Sequence, residues 1–169
     1  MKTRIYPIVM LGMLLGMSTV VYAQKAPKAP KNQKVESTSE TELIKAAIAR
    51  ETDAFFQIDY QAWMDSWVHA PYAYWSLVDA NGETSYYEGW EAIEIGFTDY
   101  FVTSKPSSNT TVERTWQEIR VYGNGAYARF RQRLITGGVA RNEQVEIRIL
   151  EKQGGVWKIA VVAVLAVKK

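Results

Sequence analysis

The stretch EIRILEKQGGVWKIAVVAVLAV, residues 146–167, decides the fold class. Its second half, Val156–Val167, is a nearly unbroken apolar run rich in valine. This run predicts a central β-strand covered on both faces, since it is too short to cross a bilayer. Gly154-Gly155 separates it from another predicted strand, Asn142–Lys152. The two strands are therefore expected to form an antiparallel hairpin.

The same pattern continues towards the N-terminus. Two more strands are predicted at Thr111–Tyr122 and Ala126–Ile135, and glycine-rich turns separate them from each other and from the hairpin. Turns of this kind join neighbouring antiparallel strands. The last third of the chain is therefore predicted to be a four-stranded antiparallel meander.

Helical patterns precede the meander. Ser39 and Glu42 have the spacing of a capping box, and the apolar periodicity that follows predicts a first helix from about Ser39 to Ile58. Asp59 is placed to cap a second helix, Tyr60–Val68, with two tryptophans one turn apart. A third helix is predicted from Gly89 to about Val102.

A short hairpin, Tyr72–Val78 and Glu83–Glu88, is predicted between the second and third helices, around the turn residues Asp79–Gly82. Helices grouped ahead of an antiparallel sheet predict an α+β layer fold. Long twisted strands can curl around the helices and leave a cavity at one end.

The composition excludes several classes of site. The 169 residues include one histidine and no cysteine, so disulfides, thiolate metal sites, thiol nucleophiles and histidine clusters are all excluded. No metal site and no cofactor are predicted. From Glu36 onward, 14 basic residues face 18 acidic ones, a net charge of −4. A mildly acidic domain is not expected to bind nucleic acid.

The first residues are predicted to direct export. Residues 1–23 have the charged start, apolar run and small residues at Val21 and Ala23 of a cleavable signal peptide. An uncleaved membrane anchor is the alternative, but a lipoprotein anchor would need a cysteine. Residues 24–37 (QKAPKAPKNQKVES) are predicted to be a flexible tether, and residues 38–169 the folded domain. The mature protein is expected to be periplasmic or secreted, with no stable membrane span.

The domain resembles the nuclear-transport-factor-2-like (NTF2-like) superfamily, in particular its SnoaL-like members. The resemblance rests on the order of four short motifs across residues 39–167. These motifs are Ile58-Asp59-Tyr60 followed by Trp63, the strand Tyr72–Val78, EGWEAI at residues 88–93, and GVWKI at residues 155–159.

The resemblance implies a cone-shaped, cystatin-like α+β barrel. Its strongly curved, mainly antiparallel sheet would wrap around the N-terminal helices, with a pocket between the concave face and those helices. Members of the superfamily include isomerases, dehydratases, polyketide cyclases and non-catalytic binding or assembly domains. The fold is therefore implied, but no single function is.

Glu51 lies in the middle of the apolar face of the first helix, where a carboxylate needs either a partner or a cavity. If it faces the pocket, its pKa should rise and it could act as a general acid or base. The alternative is a buried pair with an arginine or a tryptophan N–H from the sheet. We favour the pair, since structural ion pairs also perturb carboxylates.

His69, the only histidine, is the second candidate catalytic residue. We favour the alternative in which it caps the last carbonyls of the second helix. Asp65 lies four residues earlier and could orient the ring across one helical turn.

Arg129, Arg131 and Arg133 alternate along one predicted strand and so share one face. They could bind an anion, or they could form a cross-strand ladder with glutamates. We favour the ladder, because neighbouring strands offer glutamates at matching alternation, namely Glu113, Glu118 and Glu146.

Most of the six tryptophans are expected to be core residues, with Trp157 and Ile159 packed under the first helix. Four aromatic residues are candidates for stacking on a ligand ring at the pocket mouth: Tyr74, Trp90, Tyr100 and Trp116.

These features favour an exported domain that binds a small, largely apolar molecule without a cofactor. Two alternatives stay open. One is a cofactor-independent acid/base enzyme of the isomerase, cyclase or dehydratase type. The other is a non-catalytic interaction module, possibly a homodimer through the sheet face.

Overall fold

The computed structural model describes residues 33–107, 109–141 and 143–167. The predicted signal peptide and residues 24–32 of the predicted tether lie outside them. The helices are α1 (Gln33–Phe56), α2 (Tyr60–Asp65) and α3 (Trp90–Thr103). The strands are β1 (Tyr74–Val78), β2 (Thr84–Glu88), β3 (Thr110–Tyr122), β4 (Gly125–Thr136), β5 (Val139–Ala140), β6 (Gln144–Gln153) and β7 (Val156–Ala166).

The strands form one sheet in the order β2-β1-β7-β6-β4-β3, and the short β5 pairs with β4. Every pairing is antiparallel except that of β1 with β7. The predicted α+β class and the predicted meander are confirmed, and β7 is central, between β1 and β6. Only one face of β7 is fully buried, however. Val162 is 1% exposed, whereas Val161 and Ala163 are half-buried, because α1 packs on one side of the sheet.

The sheet is curved, and α1 packs against β7 and β3 on its concave face. Register shifts occur between Trp116 and Glu118 in β3 and between Ile149 and Leu150 in β6. Such bulges increase the twist of a strand and bend it. The helices and the concave face together bury the core, which includes the fully buried Ile44 and Ile48 of α1.

Helix α1 differs from the prediction at both ends. It begins at Gln33 rather than Ser39, since no proline or glycine interrupts residues 33–39. Glu42 does not complete a capping box but pairs with Lys45 at 2.8 Å. The helix ends at Phe56, and Ile58 adopts a φ of 57°, a left-handed conformation that is costly for a β-branched residue.

Helix α2 begins as predicted, since Asp59 Oδ1 accepts a hydrogen bond from the Ala62 amide at 3.0 Å. It ends at Asp65 rather than Val68, because the following residues bind β7 instead. The Ile159 amide donates to the Ser66 carbonyl, and the Val68 amide donates to the Ile159 carbonyl, both at 2.8 Å. This link fixes the side chain of Trp67 against the sheet.

Candidate functional site

A cavity of about 200 Å³ lies between the concave face of the sheet and the helices. Its lining divides into two chemically different walls. One wall is apolar: Phe55, Phe56, Trp63, Trp67, Trp75, Leu77, Phe97, Val162 and Val164. The other wall is polar: Glu51, Thr52, Gln132, Gln144, Glu146 and Arg148.

The apolar wall is built from aromatic rings in mutual contact. The ring of Trp63 lies 6.0 Å from that of Trp67 and 5.7 Å from that of Phe97, both edge-on. Trp75 of β1 meets Phe97 of α3 edge-on at 5.0 Å. Because edge-to-face contacts of this kind are favourable, the rings hold one another in place and present a shaped apolar surface.

The polar wall is centred on Glu146 and Arg148, which share the concave face of β6. Arg148 Nη2 donates to Glu146 Oε2 at 2.5 Å, and Arg148 Nη1 lies 3.5 Å from Glu51 Oε2. The amides of Gln132 and Gln144 donate to Glu146 Oε1 at 2.7 and 2.9 Å. Glu146 is 1% exposed and Arg148 is 5% exposed, so this pair is removed from bulk water.

Glu51 reaches this wall from α1. Burial raises the pKa of its carboxyl above the ordinary glutamate value, and the attraction of Arg148 only partly offsets this, since Glu146 also repels a charge there. Thr52 Oγ1 donates to the Ile48 carbonyl at 3.0 Å and lies 3.3 Å from Glu51 Oε2. Glu51 is therefore within ion-pair distance of an arginine and also lines the cavity.

A second arginine contacts the polar wall but does not line the cavity. Arg114 Nε of β3 donates to Gln132 Oε1 at 2.8 Å, and its guanidinium lies 5.8 Å from the ring of Phe130. Burial, and next the like charge of Arg148, lower the pKa of Arg114. Gln132 accepts from Arg114 and donates to Glu146, which in turn accepts from Arg148. Gln132 and Glu146 together therefore link the two arginines.

His69 lies outside this cavity. It is exposed and lines a separate surface pocket with Pro71, Glu88 and Trp90. Its ring stacks on Trp90 at 4.2 Å, and its Nε2 lies 2.9 Å from the Met64 carbonyl of α2. Contact with a carbonyl at the end of α2 is the capping arrangement that the sequence favoured.

The four aromatic candidates are not among the residues that line the cavity. Trp90 lies under His69, and Tyr74 stacks on Tyr86 at 6.4 Å. Tyr100 stacks on Phe55 at 4.2 Å, and Trp116 packs on Phe130 at 4.8 Å. In β1, alternation turns Trp75 rather than Tyr74 towards the cavity.

Sequence reasoning missed the pair Glu146 and Arg148. Strand alternation places them on one face with Leu150, and Ile147 and Ile149 on the other. The matching alternation of glutamates on neighbouring strands predicts Glu146 in the exposed ladder, but the structure places it on the concave face. The ladder itself is confirmed, but Glu143 takes the place of Glu146. Arg129 pairs with Glu118 at 3.7 Å, Arg131 with Glu143 at 2.5 Å, and Arg133 with Glu113 at 2.5 Å.

The described residues contain no group of three or more histidine, aspartate or glutamate side chains that could hold a metal ion. In the same part of the chain, no helix is long and apolar enough to cross a membrane.

Solved structures with the same fold are numerous. No protein-family model and no curated protein matches the sequence. An NTF2-like protein of unknown function from Shewanella oneidensis superposes with a TM-score of 0.58 at 18% identity, over 75% of this chain and 98% of its own. A cystatin-like domain of unknown function from Nostoc punctiforme gives 0.58 at 16% identity, over 78% and 80%.

A third neighbour is described as a candidate dehydratase of the NTF2-like family from Streptomyces avermitilis. It superposes with a TM-score of 0.58 at 14% identity, over 79% of this chain and 99% of its own. At these identities the likeness shows the fold alone. The chain has the NTF2-like, cystatin-like fold that its sequence resembles.

Proposed function

We propose that this chain binds a small, largely apolar molecule in the cavity of its concave face, without a cofactor. The observation that supports this is the division of the cavity into an aromatic wall and a buried polar wall. Ligand sites are typically apolar, with a few placed polar groups that fix orientation. An engineered apolar cavity of about 150 Å³ holds benzene, so the volume here suits a single ring with a short substituent.

Filling the cavity tests the proposal. Val162 of β7 is 1% exposed and lines the cavity, whereas its neighbour Val161 is half-buried and points the opposite way. Val162→Phe should weaken the binding of one-ring fragments, measured by ligand-observed NMR, by at least about tenfold, because it occupies their space. Val161→Phe is the matched control and should leave binding unchanged. Equal binding to both variants, or no fragment binding to the native chain, would contradict the proposal.

Acid/base catalysis in the same cavity is the second candidate. It is favoured by the position of Glu51 on the cavity wall and by the burial that raises its pKa, since general acids and bases work best near the operating pH. In D2O, a ketone fragment bound beside Glu51 should exchange its α-protons in the native chain and not in Glu51→Gln. Exchange at equal rates in both would exclude Glu51 as the base.

Export is part of the proposal. The sequence of residues 1–23 supports a cleaved leader, so the mature chain should begin at Gln24 in the periplasm or medium. The intact mass of the exported protein checks this. A species in the membrane fraction that retains residues 1–23 would contradict it.

Self-association through the convex face of the sheet is a further candidate. Val145, Ile147 and Ile149 of β6 lie opposite the buried Glu146 and Arg148 and stay partly exposed, and Leu165 of β7 is 39% exposed. A partly exposed apolar strip of this kind, beside the arginine–glutamate ladder, supports a homodimer. Sedimentation velocity should then show a dimer that Ile147→Glu converts to a monomer, whereas a concentration-independent monomer in the native chain would contradict it.

A further inference from the structure

Buried hydrogen-bond donors in and beside the cavity wall lack partners. Arg148 Nε, Trp67 Nε1 and Arg114 Nη2 are buried and make no hydrogen bond within the part of the chain that the structure describes. Arg148 and Trp67 are 5% and 1% exposed, and both side chains line the cavity. Because buried donors are almost always paired in folded proteins, these atoms point to an acceptor that the cavity receives.

Three acceptor oxygens of the polar wall are already engaged. Both oxygens of Glu146 accept hydrogen bonds, Oε1 from Gln132 and Gln144 and Oε2 from Arg148. Gln132 Oε1 accepts from Arg114. Arg148 Nε and Trp67 Nε1 take no part in these hydrogen bonds, so a ligand that brings acceptor oxygens could pair with them.

With Glu51 protonated, the charges favour an anion over a neutral acceptor. Four ionisable groups meet at the polar wall: Glu51 from α1, Arg114 from β3, and Glu146 and Arg148 from β6. Asp53 of α1 acts on Arg114 from an exposed position. When Glu51 holds its proton, two guanidinium groups face a single buried carboxylate, and one positive charge is left without a buried counter-ion.

We propose that the ligand of this cavity is a carboxylic acid with an apolar body of about one ring, whose carboxylate accepts from Arg148 Nε and Trp67 Nε1. The inference rests on the proposed binding function and names its ligand class. The aromatic wall would hold the ring, and the carboxylate would supply the missing acceptors. An arginine N–H to a carboxylate is among the stronger hydrogen bonds in proteins.

Proton linkage follows from the position of Glu51. A ligand carboxylate beside Arg148 would add a negative charge next to Glu51 and favour its protonated form. Binding should therefore take up a proton wherever free Glu51 is ionised, and affinity should fall as the pH rises through that range. Glu51→Gln should remove this dependence.

A matched series of probes tests the ligand class: 3-phenylpropanoate, 3-phenylpropan-1-ol and 3-phenylpropylamine, which share one body and differ in the terminal group. Titration calorimetry at pH 6 should show the acid binding about 10- to 100-fold more tightly than the alcohol, as expected for charge-assisted hydrogen bonds. The amine should bind most weakly. Calorimetry in two buffers of different ionisation enthalpy measures the proton uptake.

Variants locate the carboxylate. Trp67→Phe removes the indole N–H but keeps a ring, and Arg148→Lys keeps the charge but removes Nε. Each should reduce the preference for acid over alcohol, and Arg131→Lys on the exposed ladder should not. Trp67→Phe keeps the test decisive if Arg148→Lys does not fold.

The outcomes distinguish failure of the carboxylate inference from failure of the proposed binding function. If the alcohol or the amine binds as tightly as the acid, or if only uncharged fragments bind, the carboxylate inference is overturned and the binding function stands. If the acid preference survives in Trp67→Phe and in folded Arg148→Lys, the placement of the carboxylate is overturned. If no probe and no fragment binds, both proposals fail.

Discussion

Two groups of arginine–glutamate pairs lie on opposite faces of the same part of the sheet. On the convex face, the Arg133–Glu113 pair has side chains 47% and 52% exposed. On the concave face, the Arg148–Glu146 pair has side chains 6% and 1% exposed. The N–O distance is 2.5 Å in both pairs. Distance therefore does not distinguish the two groups, but exposure does.

The difference in exposure changes what each pair does. An exposed pair can exchange its partner for water, so it contributes little to stability and tolerates substitution. A buried pair cannot, so the loss of one member leaves the other charged and unsolvated. The concave cluster is thus a set of mutually dependent residues, and its Arg148 Nε makes no hydrogen bond within the described residues.

The largest expected effect is the loss of Arg148. Arg148→Met leaves Glu146 buried without its guanidinium and should lower the free energy of unfolding by about 3–5 kcal/mol. Chemical denaturation at pH 7 measures this. The loss should shrink as the pH falls, because protonation of the stranded carboxylate removes the buried charge.

Arg131→Met is the matched control, since Arg131 pairs with Glu143 at 2.5 Å with both side chains more than 40% exposed. This substitution should cost no more than about 1 kcal/mol. Similar losses in the two variants would contradict the distinction between the faces.

Strand alternation predicted the exposed cluster but not the buried one. The spacing of Arg129, Arg131 and Arg133 was enough to place them on one face opposite glutamates. For β6 the same rule separates Glu146 and Arg148 from Ile147 and Ile149, but it does not say which set faces inward. Composition suggests the isoleucines, yet the curved sheet turns the charged residues into the cavity.

Local signals predicted the start of α2 and the buried face of α1, although α1 begins at Gln33 rather than at Ser39. The Asp59 cap and the apolar face of α1 depend on neighbouring residues, and both are confirmed. The end of α2 depends on β7, nearly a hundred residues later, because Trp67 bridges to Ile159. The lining of the cavity by Trp67 and Trp75 follows from such tertiary contacts, which is why the sequence pointed to Tyr74 rather than to its neighbour Trp75.

The next prediction concerns Glu51. It distinguishes a Glu51 that is the essential counter-ion of Arg148 from a Glu51 that keeps its proton. Glu51→Gln should change the free energy of unfolding near pH 4.5 by less than about 1 kcal/mol, because Arg148 keeps Glu146 as its partner. A loss of about 3–5 kcal/mol would instead show that Glu51 is the essential partner of Arg148.

The pH dependence has a definite sign. Folding raises the pKa of Glu51, so the folded state holds more protons than the unfolded state between the ordinary and the raised pKa. The free energy of unfolding should therefore fall as the pH rises through that window, by at most about 1.4 kcal/mol per pH unit. The difference between the native chain and Glu51→Gln isolates this contribution. Glu113→Gln on the exposed ladder controls for the loss of one negative charge. If the free energy of unfolding depended on pH in the same way in the native chain and in Glu51→Gln, the predicted contribution of Glu51 would be contradicted.

The smallest expected effect belongs to the convex face. A double-mutant cycle with Arg133→Met and Glu113→Gln should give a coupling energy of about 0.2–1 kcal/mol at low salt. At 1 M salt the Debye length falls to about 3 Å, so the coupling should largely disappear. The same cycle for Arg148 and Glu146 should give a larger coupling that salt changes little, because the pair is shielded from the ions. If salt weakened both couplings alike, the concave pair would have to be reachable by solvent, and the contrast between the two faces would fail.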